Sequence, residues 1–259
     1  MRDWNADTYH RVSSPQLRWG LKVLDRLRLG GGERVLDVGC GTGRLTEHLA
    51  WRVPRGRVVG VDRSTNMLQA AHGYLSSLSN GRVVLTQADA ARLPFTRVAD
   101  AIFSTATFHW VLDHDALFAS LLAALKPGGR LVAQCGGGPN IARLVARTSR
   151  MLAEPAWAPF FKGWTGPWLF ADAATTARRL ASAGFVAVDT SEEYAPVTFP
   201  SADAFKEFVS TVVCRPYLEQ LPPDRHAAFM NALTDEYASD ATPFELDYWR
   251  LNIAARRPA

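Results

Sequence analysis

Residues 35–45 read VLDVGCGTGRL: an apolar run ending near an acid, then three glycines within five positions, then the start of a helical period. A strand that must turn at once into a helix through bare backbone restricts the fold more than any other stretch of this chain. Gly39, Gly41 and Gly43 permit positive φ and carry no Cβ, so a ligand can lie against their peptide groups. The helix that follows opens with unsatisfied N–H groups, which favour a negative group.

The surrounding pattern says what kind of sheet this turn belongs to. Leu17, Leu21, Leu24 and Leu27 are spaced for an amphipathic helix over 16–28, and ERVLDVG then reads as a buried strand. RVVGVD, RVVLTQAD, DAIFSTA and RLVAQCG are further apolar runs. Helical segments separate them, among them one beginning at Ser64 as cap and running to the turn at Asn80-Gly81, and DHDALFASLLAALKPGG with a glycine stop. Strands alternating with helices pair in parallel through right-handed crossovers. The expectation is a doubly wound α/β core over 15–140 within a single domain, 1–259.

Beyond GGGPN the pattern changes. Segments 141–184 and 201–240 read as helical insertions, the first interrupted by EPAWAPFFKGWTGPWLF. Between them FVAVDTSEEYAPVTF reads as one more strand, and 245–256 as a final alternating strand.

Composition narrows the function classes. With 47 % hydrophobic and 21 % charged residues the chain is of ordinary globular type. The net charge of +4 comes from scattered arginines without a basic block, which argues against nucleic acid as a partner. Cys40, Cys135 and Cys214 are widely separated and lack metal-ligand spacing, so neither a disulfide framework nor a metal is expected. No signal peptide and no apolar run near 20 residues is present, giving the expectation of a cytoplasmic protein off the membrane.

Ligands of open α/β sheets sit at the carboxyl ends of the strands. The spacing G-C-G-T-G differs from the dinucleotide pattern G-x-G-x-x-G, and Asp37 beside it repels phosphate and suits an ammonium. A nicotinamide-dependent oxidoreductase is therefore disfavoured. Asp62 ends the next strand, 25 residues on, where a carboxylate can accept both ribose hydroxyls. Asp89, at the third strand end, can accept from an adenine amine. Three acids at three successive strand ends describe an adenosine carrying a cationic amino group.

At this point the chain resembles the class I S-adenosylmethionine-dependent methyltransferases, a Rossmann-like family; the resemblance implies a mostly parallel sheet whose final strand, 245–256, runs antiparallel to the rest. LDVGCGTG, VVGVDRSTNML, QADAARLPF and LKPGGRLVAQ stand in the family's order. The resemblance implies S-adenosylmethionine as cofactor, with Asp37, Gly39, Cys40, Gly41 and Gly43 near its methionine end. It implies Asp62 on the ribose, Arg63 and Met67 beside the adenine, and Asp89 with Ala90 at the amine edge. Ser104 and Thr105, ending the fourth strand, complete the implied set.

STATFHWVLDHDALF, DWNADTY and FKEFVSTVVCRPYLEQL further resemble the trans-aconitate methyltransferase subgroup. That likeness implies Tyr9 over the cofactor, a lid from the 201–240 helices, and a small-molecule acceptor methylated at a carboxylate or hydroxyl oxygen. His109 and Trp110 stand beside the reactive methyl, with Arg215 and Tyr217 on the acceptor. His109 is either a base or a hydrogen-bond partner, or else a wall residue under Trp110. Arg215 either clamps a carboxylate or caps a helix and pairs with Glu219. The aromatics of 155–170 either line an acceptor pocket or pack the lid, and CGGGPN departs from the subgroup. The other histidines, His114 among them, are expected to be solvated. A non-catalytic module that keeps the adenosyl pocket stays open as the other class.

Overall fold

A computed structural model describes residues 14–76 and 81–259 of the chain. Its principal strands are β1 (Arg34–Val38), β2 (Arg57–Asp62), β3 (Val83–Gln87), β4 (Ala99–Thr105), β5 (Leu125–Gly136) and β6 (Val186–Tyr194). Two short strands, β7 (Val197–Thr198) and β8 (Glu245–Leu246), precede β9 (Trp249–Arg256). Seven of them form one sheet in the order β3-β2-β1-β4-β5-β9-β6. Pairing is parallel from β3 through β5, whereas β9 runs antiparallel to both β5 and β6. Strand order reverses between β1 and β4, which opens a crevice above their carboxyl ends.

The sheet is covered on both faces, and the pleat decides which side chain goes where. Val35 joins Leu24, Leu27 and Leu49 on the face of α1 (Ser14–Arg26) and α2 (Arg44–Arg52). Leu36 and Val38 join Phe118, Leu121 and Leu180 on the face of α4 (His114–Ala124) and α6 (Ala173–Ser182). α3 (Thr65–Leu75) starts at Ser64, whose hydroxyl accepts the Met67 N–H at 3.1 Å, as the sequence signal predicts.

A third cluster lies outside the sheet layers. It packs α5 (Ala142–Ala153), α7 (Ala202–Phe208), α8 (Arg215–Leu218) and α9 (Pro223–Ala238) around fully buried Phe205, Phe229, Leu233 and Tyr237. Each such apolar side chain contributes about 1.5–3 kcal/mol on burial. A π-helical turn, Val209–Val213, joins α7 to the chain leading into α8.

Three elements differ from the sequence reading. The single strand expected from FVAVDTSEEYAPVTF divides at Ala195-Pro196 into β6, paired with β9, and β7, paired with β8. The fourth helix ends at Ala124, short of Gly128-Gly129, because Pro127 lacks an N–H and holds its predecessor out of the helical region. Those residues enter β5, with a register shift opposite Ala99–Ala101. The expected strand over 245–256 divides: β8 pairs with β7, and β9 enters the main sheet. The break falls at Asp247, whose carbonyl accepts the Ile141 N–H at 3.0 Å and whose carboxylate accepts the Arg143 N–H at 3.1 Å. No helix among the described residues is long and apolar enough to cross a membrane.

Candidate functional site

A cavity of about 910 Å³ opens at the carboxyl edge of the sheet. Its first end is built by the β1, β2 and β3 termini. Gly39 and Cys40 donate their N–H groups to the Val61 carbonyl at 2.7 and 3.0 Å, tying the glycine turn to β2. Asp62 accepts from the Gly41 N–H and the Ser64 N–H, both at 2.9 Å, which fixes its carboxylate at the cavity wall. Arg63, Met67 and Ala90 line the same end, as does Asp89, whose carboxylate also accepts the Ala91 N–H at 2.9 Å.

The three glycines turn out to serve three ends, although all have positive φ. A Cβ on Gly39 would lie 2.0 Å from Thr107 Oγ1, so this position admits the chain that follows β4. A Cβ on Gly41 would meet nothing within 4 Å, because this peptide faces the cavity. Gly43 does not line the cavity; its Cβ would lie 2.8 Å from Leu75 Cδ1, and its absence lets α2 pack on α3.

Asp37 points toward the α2 face, since Leu36 and Val38 take the other. It is 2 % exposed, accepts the Thr46 hydroxyl at 2.6 Å, and borders a small annex of about 60 Å³ with Gln16, Cys40, Thr42 and Arg44. Burial, with the Asp62 charge adding to it, pushes its carboxyl up to about 7. Burial likewise holds the Cys40 thiol well above its usual range.

The second end is built by the β4, β5 and β9 edges. A 3-10 turn, Phe108–Trp110, places His109 and Trp110 at the wall beside Thr105. The Gly136 N–H donates to His109 Nδ1 at 3.2 Å, and the ring lies 5.3 Å from Trp110 and 5.7 Å from Phe170. Burial, then the positive charge of Arg250, push the His109 pKa down to about 3. The imidazole is therefore neutral. With Nδ1 accepting, its proton resides on Nε2.

His114 is buried, contrary to the expectation of a solvated ring. Its Nε2–H donates to the Phe108 carbonyl at 3.1 Å and Nδ1 accepts from Arg179 at 3.2 Å, so it braces the turn that carries His109. Burial lowers its pKa.

Arg250 is the main residue that the sequence reading missed. Because β9 is antiparallel, its beginning lies at the carboxyl edge, and Arg250 stands opposite Gly136. It is 3 % exposed, lines the cavity, and lies 4.5 Å from the Trp19 ring. Its Nε donates to Gln134 Oε1 at 3.4 Å. Gln134 Nε2 and Arg26 Nη1 both donate to Asn252 Oδ1, at 2.9 and 2.7 Å. Strand alternation sets it with Asn252 on the face opposite Leu251, Ile253 and Ala255, so no local pattern marked it as buried.

Other expected residues lie elsewhere. Ser104 is buried away from the cavity, its hydroxyl donating to the Val38 carbonyl at 2.7 Å. Cys40 reaches only the annex. Along α8 and the turn that follows it, Pro216, Glu219 and Gln220 face the cavity, whereas Arg215 and Tyr217 lie off it. Arg215 pairs with Glu219 at 3.0 Å, the helix-pairing alternative. The Tyr217 hydroxyl accepts from Thr148 at 3.2 Å, and its ring packs 4.7 Å from Trp164. Of the 155–170 aromatics, Trp164, Trp168 and Phe170 line the cavity, whereas Trp157, Phe160 and Phe161 pack the helical cluster. Tyr9 lies outside the described residues.

Comparison with known proteins agrees with this architecture. Residues 35–129 match the family model described as a methyltransferase domain. The trans-aconitate 2-methyltransferase of Paracidovorax citrulli is 33 % identical, with all of both chains covered. That of Variovorax paradoxus is 32 % identical over 97 % of this chain and 95 % of its own. The fold is similar to that of Haemonchus contortus phosphoethanolamine N-methyltransferase 2, solved with S-adenosylhomocysteine, at a TM-score of 0.65 and 19 % identity. That likeness spans 98 % of this chain and 57 % of the other. The chain belongs to the class I S-adenosylmethionine-dependent methyltransferases and is similar throughout its length to their trans-aconitate methyltransferase subgroup.

Proposed function

We propose that this methyltransferase acts on a small molecule and esterifies a carboxylate. The observation that carries the reading is the state of His109: neutral, with its lone pair on Nδ1 engaged by the Gly136 N–H. A ring so arranged donates and does not abstract a proton, so the acceptor it suits is a group already ionised at neutral pH. A carboxylate is such a group. Arg250 at the same end of the cavity supplies the positive charge that would hold it.

The residues present fit the cofactor. Gln16 Oε1 is buried without a hydrogen-bond partner at the annex that Asp37 borders, an acceptor pair suited to an ammonium. The open space over the Gly41 peptide and the oriented Asp62 carboxylate suit the sulfur-bearing chain and the ribose. Bound there, S-adenosylmethionine would supply a methyl group on cationic sulfur, which an ionised acceptor oxygen could take with the C–S electron pair left on sulfur and no proton to remove. In this reading Asp62 and Asp89 position the nucleoside, Thr105 and Trp110 shape the reacting zone, and His109 Nε2–H orients the acceptor. The 15–140 core serves the cofactor, while segments 141–184 and 201–240 enclose the acceptor.

The test is incubation with methyl-labelled S-adenosylmethionine and fractionated cellular acids. Label in a base-labile methyl ester is the expected result. Label confined to amines, carbons or base-stable ethers would overturn the reading.

A further inference from the structure

Resting on the carboxylate reading above, we infer that Asn140 is a second acceptor-binding donor. Its Nδ2–H and His109 Nε2–H hold the acceptor carboxylate between them, and Gly136 is a glycine so that the amide can reach that place.

The direction of the amide comes first. Asn140 lies in the connection between β5 and α5 and is 4 % exposed. The Trp249 N–H donates to Asn140 Oδ1 at 3.0 Å, which distinguishes oxygen from nitrogen in the amide and turns Nδ2 the other way. Asn140 lines the cavity, and among the described residues nothing accepts from its Nδ2. A buried amide donor left open is costly until a ligand or solvent accepts from it.

The glycine is the second observation. Gly136 ends β5 and does not take positive φ, so its backbone does not require a glycine. Space does. A Cβ there would lie 2.6 Å from Asn140 Nδ2 and 3.0 Å from Phe170 Cε1. The N–H of the same residue donates to His109 Nδ1 at 3.2 Å. One bare strand end thus brings the Asn140 amide, the Phe170 ring edge and the His109 imidazole to the same wall. This gives CGGGPN a purpose: its first glycine admits the amide that its last residue carries.

Two neutral donors suit one carboxylate. Each of its oxygens has two lone pairs, so both donors can be satisfied while another pair stays open to the methyl group. Fixing that angle is what an in-line displacement asks of the protein. Asp113, Glu219 and Gln220 also line the cavity, but Asp113 accepts the Ala116 N–H at 2.9 Å, Glu219 pairs with Arg215, and the Gln220 amide is exposed.

The experiment repeats the incubation with labelled S-adenosylmethionine and one preparation of fractionated cellular acids, diluted until rate is proportional to acid, so that base-labile label reads kcat/KM. Asn140→Asp keeps an oxygen for the Trp249 N–H and replaces the donor with an acceptor, whereas Asn140→Ala removes both. Loss of a donor to a charged group should lower the rate about ten- to hundredfold in both proteins. Asn140→Asp should be no faster than Asn140→Ala, and S-adenosylhomocysteine affinity should be unchanged. A role confined to bracing the loop gives the opposite order, with Asn140→Asp near the parent rate and Asn140→Ala well below it, and overturns the inference. Weakened S-adenosylhomocysteine binding at an unchanged rate also overturns it, by moving the amide to the methyl donor. Gly136→Ala leaves Asn140 in the chain but displaces its amide, and should lower the rate in the same sense. A parent-like rate there overturns the inference even if the Asn140 variants do not fold. Absence of base-labile label from parent protein that still binds S-adenosylhomocysteine overturns the carboxylate reading as well, whereas label in the parent with the loop-bracing order in the variants overturns this inference alone.

Discussion

At the β1–β2–β3 end of the cavity the wall comes from residues 38–92 with Gln16, whereas the β4–β5–β9 end draws on residues from Thr105 to Arg250. The first end, with its annex, is made of strand termini, bare peptide and three acids, each fixed by backbone or hydroxyl donors that lie between Gly41 and Ala91. The second is made of aromatic rings, a neutral histidine and a buried arginine brought together from four distant segments. The contrast teaches that a common ligand can be held by local geometry, while a particular acceptor requires the tertiary fold.

The largest expected effect probes the charged end. The Asp37 carboxyl is held near 7, above its unfolded value, so its contribution to stability is complete below about pH 4 and is lost as pH rises through about 7. The loss is at most on the order of 4 kcal/mol. Ligand-free Asp37→Asn protein should therefore be the more stable at pH 8, by denaturant titration, and should bind S-adenosylhomocysteine more weakly. Equal stability of the two proteins across pH 4–8 would remove the strained acid from the comparison.

Asp62→Ala comes next. Loss of charge-assisted hydrogen bonds should cost about 1.5–3 kcal/mol of S-adenosylhomocysteine affinity by calorimetry. If acceptor KM changed instead, the two ends would not be separable. The glycines sharpen the point further. Gly39→Ala must displace Thr107 and should lower the melting temperature, whereas Gly41→Ala fills open space and should weaken cofactor binding by about 1–2 kcal/mol beyond its backbone strain.

The smallest effect belongs to the acceptor end. Because His109 stays neutral, the pH–rate profile of the enzyme should show no limb from it between pH 6 and 8. His109→Gln, which keeps an N–H donor at the Nε2 position, should retain more activity than His109→Ala, by about 1 kcal/mol in kcat/KM. A limb that vanishes in His109→Gln would restore the base.

How much of this was readable from the chain follows the same division. The glycine turn, Asp62, Met67 and Asp89 lie in short contiguous runs whose positions relative to the sheet edge follow from strand periodicity alone. The antiparallel final strand was also expected, although its first part, Glu245–Leu246, pairs elsewhere. Arg215 and Tyr217 were assigned to the acceptor by resemblance; a four-residue helix gives no sequence period from which to tell its faces, and the fold turns Pro216 and Glu219 to the cavity instead. His114 looked solvated because its partners, Phe108 and Arg179, are contributed by different elements. Arg250 depends on the antiparallel direction of β9 and on Trp19 of α1, a contact across more than two hundred residues that no local pattern carries.

The place of β9 also governs how the molecule can be made. β6 has β9 as its one neighbour in the main sheet, and about 55 residues separate the end of one from the beginning of the other. At about 5–20 residues per second, a nascent chain waits about 3 to 10 seconds between completing β6 and starting the strand that joins it to β5. During that interval β5 presents an open apolar edge. The arginine assigned to the acceptor carboxylate is thus added in the same step that closes the sheet, and newly made chains are most exposed to aggregation or chaperone capture just before it arrives.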